Sequence, residues 1–216
     1  MRNNNPPAVA CIFRLLPIHG ILEHMEENTS RAIKPIDQLV FADDFMFGAV
    51  MRDAAICKGV LEWLLRVKID HIEYPELQKV ITPFYSRKGV RLDVYVADSG
   101  RVFDVECQTY RIESIGKRTR YYQSMIDIKV LEKGQDYKKL KKSIVIFICN
   151  YDPYGKSRYI YTFRNRCDED FAILLKDEAT KIVINTKGTV GDISDDLKAV
   201  IKYMETGVAS TDYTKA

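Results

Sequence analysis

The sequence predicts an α/β protein in which helices flank a central sheet. Three observations carry this. Apolar residues between Val40 and Leu65 recur at helical spacing, two alternating runs flank a turn at Asp98, Ser99 and Gly100, and Ile144 to Cys149 is an unbroken apolar run. The first pattern is an amphipathic helix, the second a β-hairpin, and the third a strand buried on both faces.

The elements follow in order. Residues 1–36 mix Asn, Pro, Arg and Glu without a sustained period and read as an irregular or partly helical lead-in; one domain is expected over 37–207, with a tail at 208–216. Val40, Phe41, Phe45, Phe47, Val50 and Met51 mark a first helix, and Val60, Leu61, Leu64 and Leu65 a second, capped by Asp53. Pro75 and Pro83 interrupt any long helix. The hairpin spans Arg91 to Gln108. A helix then runs from Ser114 or Lys117 to Lys133 and stops at Gly134. Ile144–Cys149, Arg158–Phe163 and Lys181–Asn185 are strands. The last helix, Asp195–Thr206, carries Leu197, Val200, Ile201 and Met204 on one face, with Ser194 as cap and Gly207 past its end.

Composition excludes several classes. At 216 residues, 46% hydrophobic and 29% charged, the chain resembles an ordinary globular domain. The apolar stretch from Ala8 to Leu22 is broken by Arg14, Pro17 and His19, so neither a membrane span nor a signal peptide is expected. Five widely spaced cysteines write no disulfide framework and no Cys-x-x-Cys site, which fits a reducing cytoplasm. His19, His24 and His71 lack zinc-ligand spacing, and neither a Gly-x-Ser-x-Gly elbow nor a phosphate-binding Gly-rich loop is present. A net charge of +3 is too small for a polycation, yet basic residues crowd at Arg111, Lys117, Arg118 and Arg120, and again from Lys138 to Lys142, with tyrosines among them. Such clusters serve a phosphate backbone or form a solvated helix surface; charge pattern alone leaves both open.

The hairpin carries the chemistry. Leu92, Val94 and Val96 share one face of its first strand; Phe103, Val105 and Cys107 share one face of its second. Pairing odd positions with even ones puts both apolar sets on the core side. The opposite face then gathers Asp93, Tyr95, Asp104, Glu106 and Gln108. Three carboxylates so close repel one another unless a cation or a proton compensates. Either a hard divalent cation belongs there, or the face is an acidic surface turned to solvent.

Asp93, followed thirteen residues later by Glu106-Cys107-Gln108, resembles the Asp and Glu-x-Lys signature of PD-(D/E)XK nucleases, with Gln108 in place of lysine as in the transposase-like, recombination-promoting branch. Asp44-Phe45-Met46-Phe47 is similar to that branch's N-terminal helix motif. Arg118 with Tyr121 and Tyr122 resembles its basic-aromatic helix, and Gly134-x-x-Tyr137 its lead into the next strand. The similarity covers roughly Asp43 to Thr206.

The resemblance implies a restriction-endonuclease-like αβββαβ core with a mixed central sheet. It implies a metal-dependent DNA endonuclease linked to transposition or recombination, using Mg²⁺ with Mn²⁺ as substitute. Asp93 and Glu106 would hold the metal with the Cys107 carbonyl, and Asp44 would complete the shell or cap its helix. Gln108 would orient the attacking water. Arg118, Tyr122, Arg120 and Lys117 would hold DNA. Glu62 is a competing helical carboxylate. DNA is the implied partner and a homodimer an assembly compatible with it, with no membrane partner. The rival is a catalytically weak or inactive DNA-binding or assembly protein on the same fold.

Overall fold

The computed structural model describes residues 43–72, 76–81, 90–98 and 100–207. The lead-in at 1–36 and the tail at 208–216 lie outside the described residues, as do Val40, Phe41, Pro75, Pro83 and Ser99.

Two short helices open the fold, α1 (Asp44–Met51) and α2 (Ala54–Leu65). Asp53 caps α2 as expected, its carboxylate accepting from the Ala55 and Ile56 N–H groups. Strands β1 (Glu76–Ile81), β2 (Val90–Ala97) and β3 (Arg101–Gln108) form an antiparallel meander. Helix α3 (Ile115–Val130) crosses to β4 (Lys142–Cys149), which lies parallel to β3. Then come β5 (Ile160–Phe163), β6 (Ala179–Asn185) and α4 (Asp195–Thr206). The strands form one mixed sheet in the order β1-β2-β3-β4-β6-β5.

The sheet separates two cores. Ile144, Ile146 and Ile148 of β4 pack with α1, α2 and α4, whereas Val145, Phe147 and Cys149 pack with α3. That division explains the unbroken apolar run, because a central strand covered on both faces has no polar side. The cap on α4 is Ser194, which accepts from Leu197 N–H, and Gly207 follows in the left-handed region at φ 68°.

The structure departs from the expected elements in four places. β1, Glu-Leu-Gln-Lys-Val-Ile, has no regular alternation of apolar and polar residues in its sequence and is not among the strands read from periodicity; its pairing with β2 makes it a strand. Helix α3 ends at Val130 rather than Lys133, with Leu131 extended; Gly134, at φ 84°, serves a turn closed by Gln135 N–H donating to the Glu132 carbonyl. The strands expected at Arg158–Phe163 and Lys181–Asn185 run Ile160–Phe163 and Ala179–Asn185. Finally, Leu92 does not share a core with Val94 and Val96. Val90 and Leu92 join the α3-side core instead, and across from them Leu77 packs on one side and Ile81 on the other. The face switch centres on Gln78, whose φ of 49° turns the edge strand opposite Asp93.

Candidate active site

The β2–β3 register is the one that matching apolar faces require: Val94 pairs with Val105, Tyr95 with Asp104 and Val96 with Phe103. Toward Asp93 the backbone ladder gives way to side chains. Asp93 N–H donates to Glu106 Oε1 at 2.8 Å, and Cys107 N–H donates to Asp93 Oδ2 at 3.2 Å. Each carboxylate is thus anchored by the backbone of the other's strand, and together they hold open a gap in the sheet.

Helix α3 supplies a cation to this gap. Arg118 donates from Nη1 to Gln108 Oε1 at 2.6 Å and from Nη2 to Glu106 Oε2 at 3.0 Å. Its Nε and Nη2 also donate to the Tyr122 hydroxyl, one helical turn on, at 3.0 and 2.8 Å. The guanidinium carbon lies 5.0 Å from the Tyr122 ring centre and 5.2 Å from that of Phe147. Gln108 donates from Nε2 to the Tyr110 carbonyl at 2.8 Å, so both ends of its amide are engaged.

Charge is out of balance here. Asp104, fully buried beside Glu106, has neither carboxylate oxygen hydrogen-bonded among the described residues. Burial, then the neighbouring Glu106 and Asp93 carboxylates, push its pKa well above the ordinary range. As a neutral acid it gains a donor, and Glu106 is the acceptor beside it. Burial and the Asp93 carboxylate push Glu106 up to about 8 despite Arg118. Burial works against the Arg118 charge, but Tyr122 and Glu106 outweigh it and hold its pKa above the usual value.

In front of this floor lies a cleft of about 750 Å³ lined by Asp93, Arg91, Lys117, Arg118, Arg120 and Tyr122, among others. Glu106 and Gln108 sit beneath it, almost without solvent exposure. The second basic cluster is elsewhere: Lys138 and Lys139 lie on an exposed turn, and Lys141 reaches the Asp98 carbonyl.

The structure therefore brings together Asp93, Glu106, Gln108, Arg118 and Tyr122, with Lys117 and Arg120 on the cleft wall. Cys107 turns its thiol into the apolar core, as its parity requires, leaving only its backbone near the carboxylates. Asp44 is the first residue of α1 and the cap position falls to Asp43; the Asp44 side chain lies outside the description. Glu62 belongs to the other face of the sheet, where it accepts from Lys58 and from the Ile69 N–H. Asp104 joins the carboxylate cluster on the face that strand parity assigns it; its complete burial is what the sequence does not show. Arg91 carries no sequence signal and is an ordinary exposed strand cation until the cleft is known.

Among the described residues no group of three or more His, Cys, Asp or Glu side chains is gathered for metal ligation. The donor chemistry nonetheless fits a hard divalent ion. Ionised, Asp93, Asp104 and Glu106 would exceed the single positive charge of Arg118, and in the metal-free site raised proton affinities at Asp104 and Glu106 offset that excess, a role that a hard divalent ion can take over.

A mixed sheet with an αβββαβ order, carrying an Asp and a Glu-x-Gln on adjacent strands where their ladder opens, defines a restriction-endonuclease-like fold of the nuclease class. Within that class the assignment is narrower. The chain belongs to the PD-(D/E)XK nuclease family transposases, whose family profile matches residues 41–184. No curated protein and no solved structure matches the sequence significantly. Membership implies DNA as the substrate, and no helix among the described residues is long and apolar enough to cross a membrane.

Proposed function

We propose that the protein is a Mg²⁺-dependent DNA endonuclease that hydrolyses phosphodiester bonds during transposition or recombination, with Mn²⁺ able to substitute. The observation that carries this is the reciprocal anchoring of Asp93 and Glu106 across the open ladder, beside a cleft lined with cations. Asp93 and Glu106, with the Cys107 carbonyl, would hold the ion, and Asp44 would add a ligand from α1. When bound, the ion supplies positive charge at the scissile phosphate and makes a water acidic near neutral pH. Lys117, Arg118, Arg120 and Tyr122 bind the DNA backbone on the cleft wall, orienting the phosphate over the carboxylates. Arg118 also shields Glu106 from bulk water, which strengthens every charge interaction in the floor.

DNA is the partner, with a homodimer as the assembly to test and no membrane association. Cys57, Cys107, Cys149 and Cys167 are free thiols, in keeping with the cytoplasm.

The test is cleavage of supercoiled plasmid in Mg²⁺ or Mn²⁺ by wild type, Asp93→Ala and Glu106→Ala, each first shown to fold. Metal-dependent nicking by wild type, lost in both variants, is expected. No cleavage by wild type, with DNA binding retained, overturns the reading in favour of a catalytically silent protein that acts by binding and assembly.

A further inference from the structure

We propose that Arg118 is the catalytic cation of this site and that Gln108 is its positioning residue rather than a ligand of the attacking water. The inference rests on the nuclease reading above and concerns what each of these two side chains does within it.

Gln108, 2% exposed, commits Oε1 to the Arg118 guanidinium and Nε2 to the Tyr110 carbonyl. The amide keeps a second N–H and a second lone pair, but Gln108 is not among the residues that line the cleft, so a water held there lies against Asp93 and Arg118 rather than against the amide. The amide therefore orients its neighbour. Its carbonyl oxygen and Glu106 Oε2 accept from the two terminal nitrogens of one guanidinium, so the two acceptors fix the plane of Arg118 from the β3 side.

The guanidinium's donors can be followed one by one. It has five N–H groups. Four make the bonds to Gln108, Glu106 and Tyr122, the last twice. The fifth, on Nη1, has no partner among the described residues, while the side chain lines the cleft together with Asp93. A planar cation held by four bonds, with one donor left at the edge of a cleft, is a preorganised site for an oxygen that gains negative charge.

Arg118 keeps its proton throughout, because a guanidinium is not deprotonated in a protein at any pH of interest. It cannot act as a base. As hydrolysis proceeds, the water oxygen bonds to phosphorus and the P–O bond to one sugar breaks with its electron pair. The water's proton leaves to solvent and another returns to the sugar oxygen. Arg118 takes part in neither transfer; it stabilises charge on a non-bridging oxygen.

The experiment compares wild type, Arg118→Ala, Arg118→Lys and Gln108→Ala, all confirmed folded. Single-turnover cleavage is measured in Mg²⁺, and duplex binding in Ca²⁺. Arg118→Ala should slow cleavage by roughly 100- to 1000-fold, while weakening duplex binding by less than about fivefold, and free guanidinium ion should restore part of the rate. Arg118→Lys keeps the charge without the fork and should fall between. Gln108→Ala should slow cleavage about tenfold, and should shift the Arg118 Nε–H resonance in ¹⁵N spectra of the metal-free, DNA-free protein. Active wild type with an unaffected Arg118→Ala variant overturns this assignment alone. So does an Arg118→Ala variant that loses binding and cleavage in equal measure, or an unmoved resonance in Gln108→Ala. Inactive wild type overturns the nuclease reading and this assignment together.

Discussion

Replacing Asp104 with Asn should remove a pH dependence from the stability of the metal-free protein. Asp104 is fully buried, has no donor for either oxygen among the described residues, and touches the Glu106–Asp93 cluster. Its folded pKa lies well above its ordinary value because of burial and those neighbours, and Glu106 is pushed up to about 8. The folded chain therefore keeps a proton that the unfolded chain has released. For a raised pKa the sign is fixed: stability is fully present below the unfolded value, near pH 4, and is lost as pH rises toward the folded value. Counting one proton for the pair, the slope is about 1.4 kcal/mol per pH unit, so from pH 5 to pH 7 wild type loses roughly 3 kcal/mol. That corresponds to a fall in Tm of roughly 6–12 °C for a chain of this size. Asp104→Asn retains a donor toward Glu106 but cannot ionise. It should match wild type at and below about pH 4 and exceed it progressively from there to pH 7 in urea and thermal melts run in EDTA. Parallel pH profiles for the two proteins would refute the account of this buried carboxyl, as would a difference that grows toward acid.

Three other perturbations probe the frame and the cleft. Gly188→Ala should destabilise by on the order of 2–3 kcal/mol in urea, because a Cβ there would lie 2.5 Å from the Tyr159 Cα and 2.7 Å from its nitrogen; a near-neutral substitution would contradict that packing. Asp98→Ala should cost roughly 2–3 kcal/mol, since Asp98 accepts from the Gly100 and Arg101 N–H groups and pairs with the Arg101 guanidinium. Burial opposes the Asp98 charge, but those bonds outweigh it and depress the pKa, so this contribution holds above the unfolded value and is lost as pH falls through the folded one. Lys117→Ala and Arg120→Ala should each reduce the slope of log binding constant against log salt by about 0.9 for duplex DNA; an unchanged slope would take those residues off the phosphate path.

Much of this protein was legible in its sequence because strand parity is a strict rule. Once Val94, Val96, Phe103 and Val105 had to share a core, the pairing of Tyr95 with Asp104 followed, and with it the gathering of Asp93, Glu106 and Gln108 on the opposite face. Local signals likewise placed the Asp53 and Ser194 caps and the doubly buried strand β4. Other features depend on atoms distant in sequence. Leu92 changes cores beside the point where Gln78, on the neighbouring strand, adopts a positive φ, and nothing in the local run around Leu92 records that. Exposed β1 is a strand only because β2 offers it a ladder. The sequence by itself determined which residues face the site; tertiary structure decided what they do there. The contact between Arg118 and Gln108 spans ten positions and joins a helix to a strand, so its geometry, and the engagement of both ends of the Gln108 amide, arise only when α3 packs on the sheet. Periodicity reports the direction of a side chain from its own backbone, whereas a hydrogen-bond partner, a buried charge and a shifted pKa are set by whatever the fold brings against it.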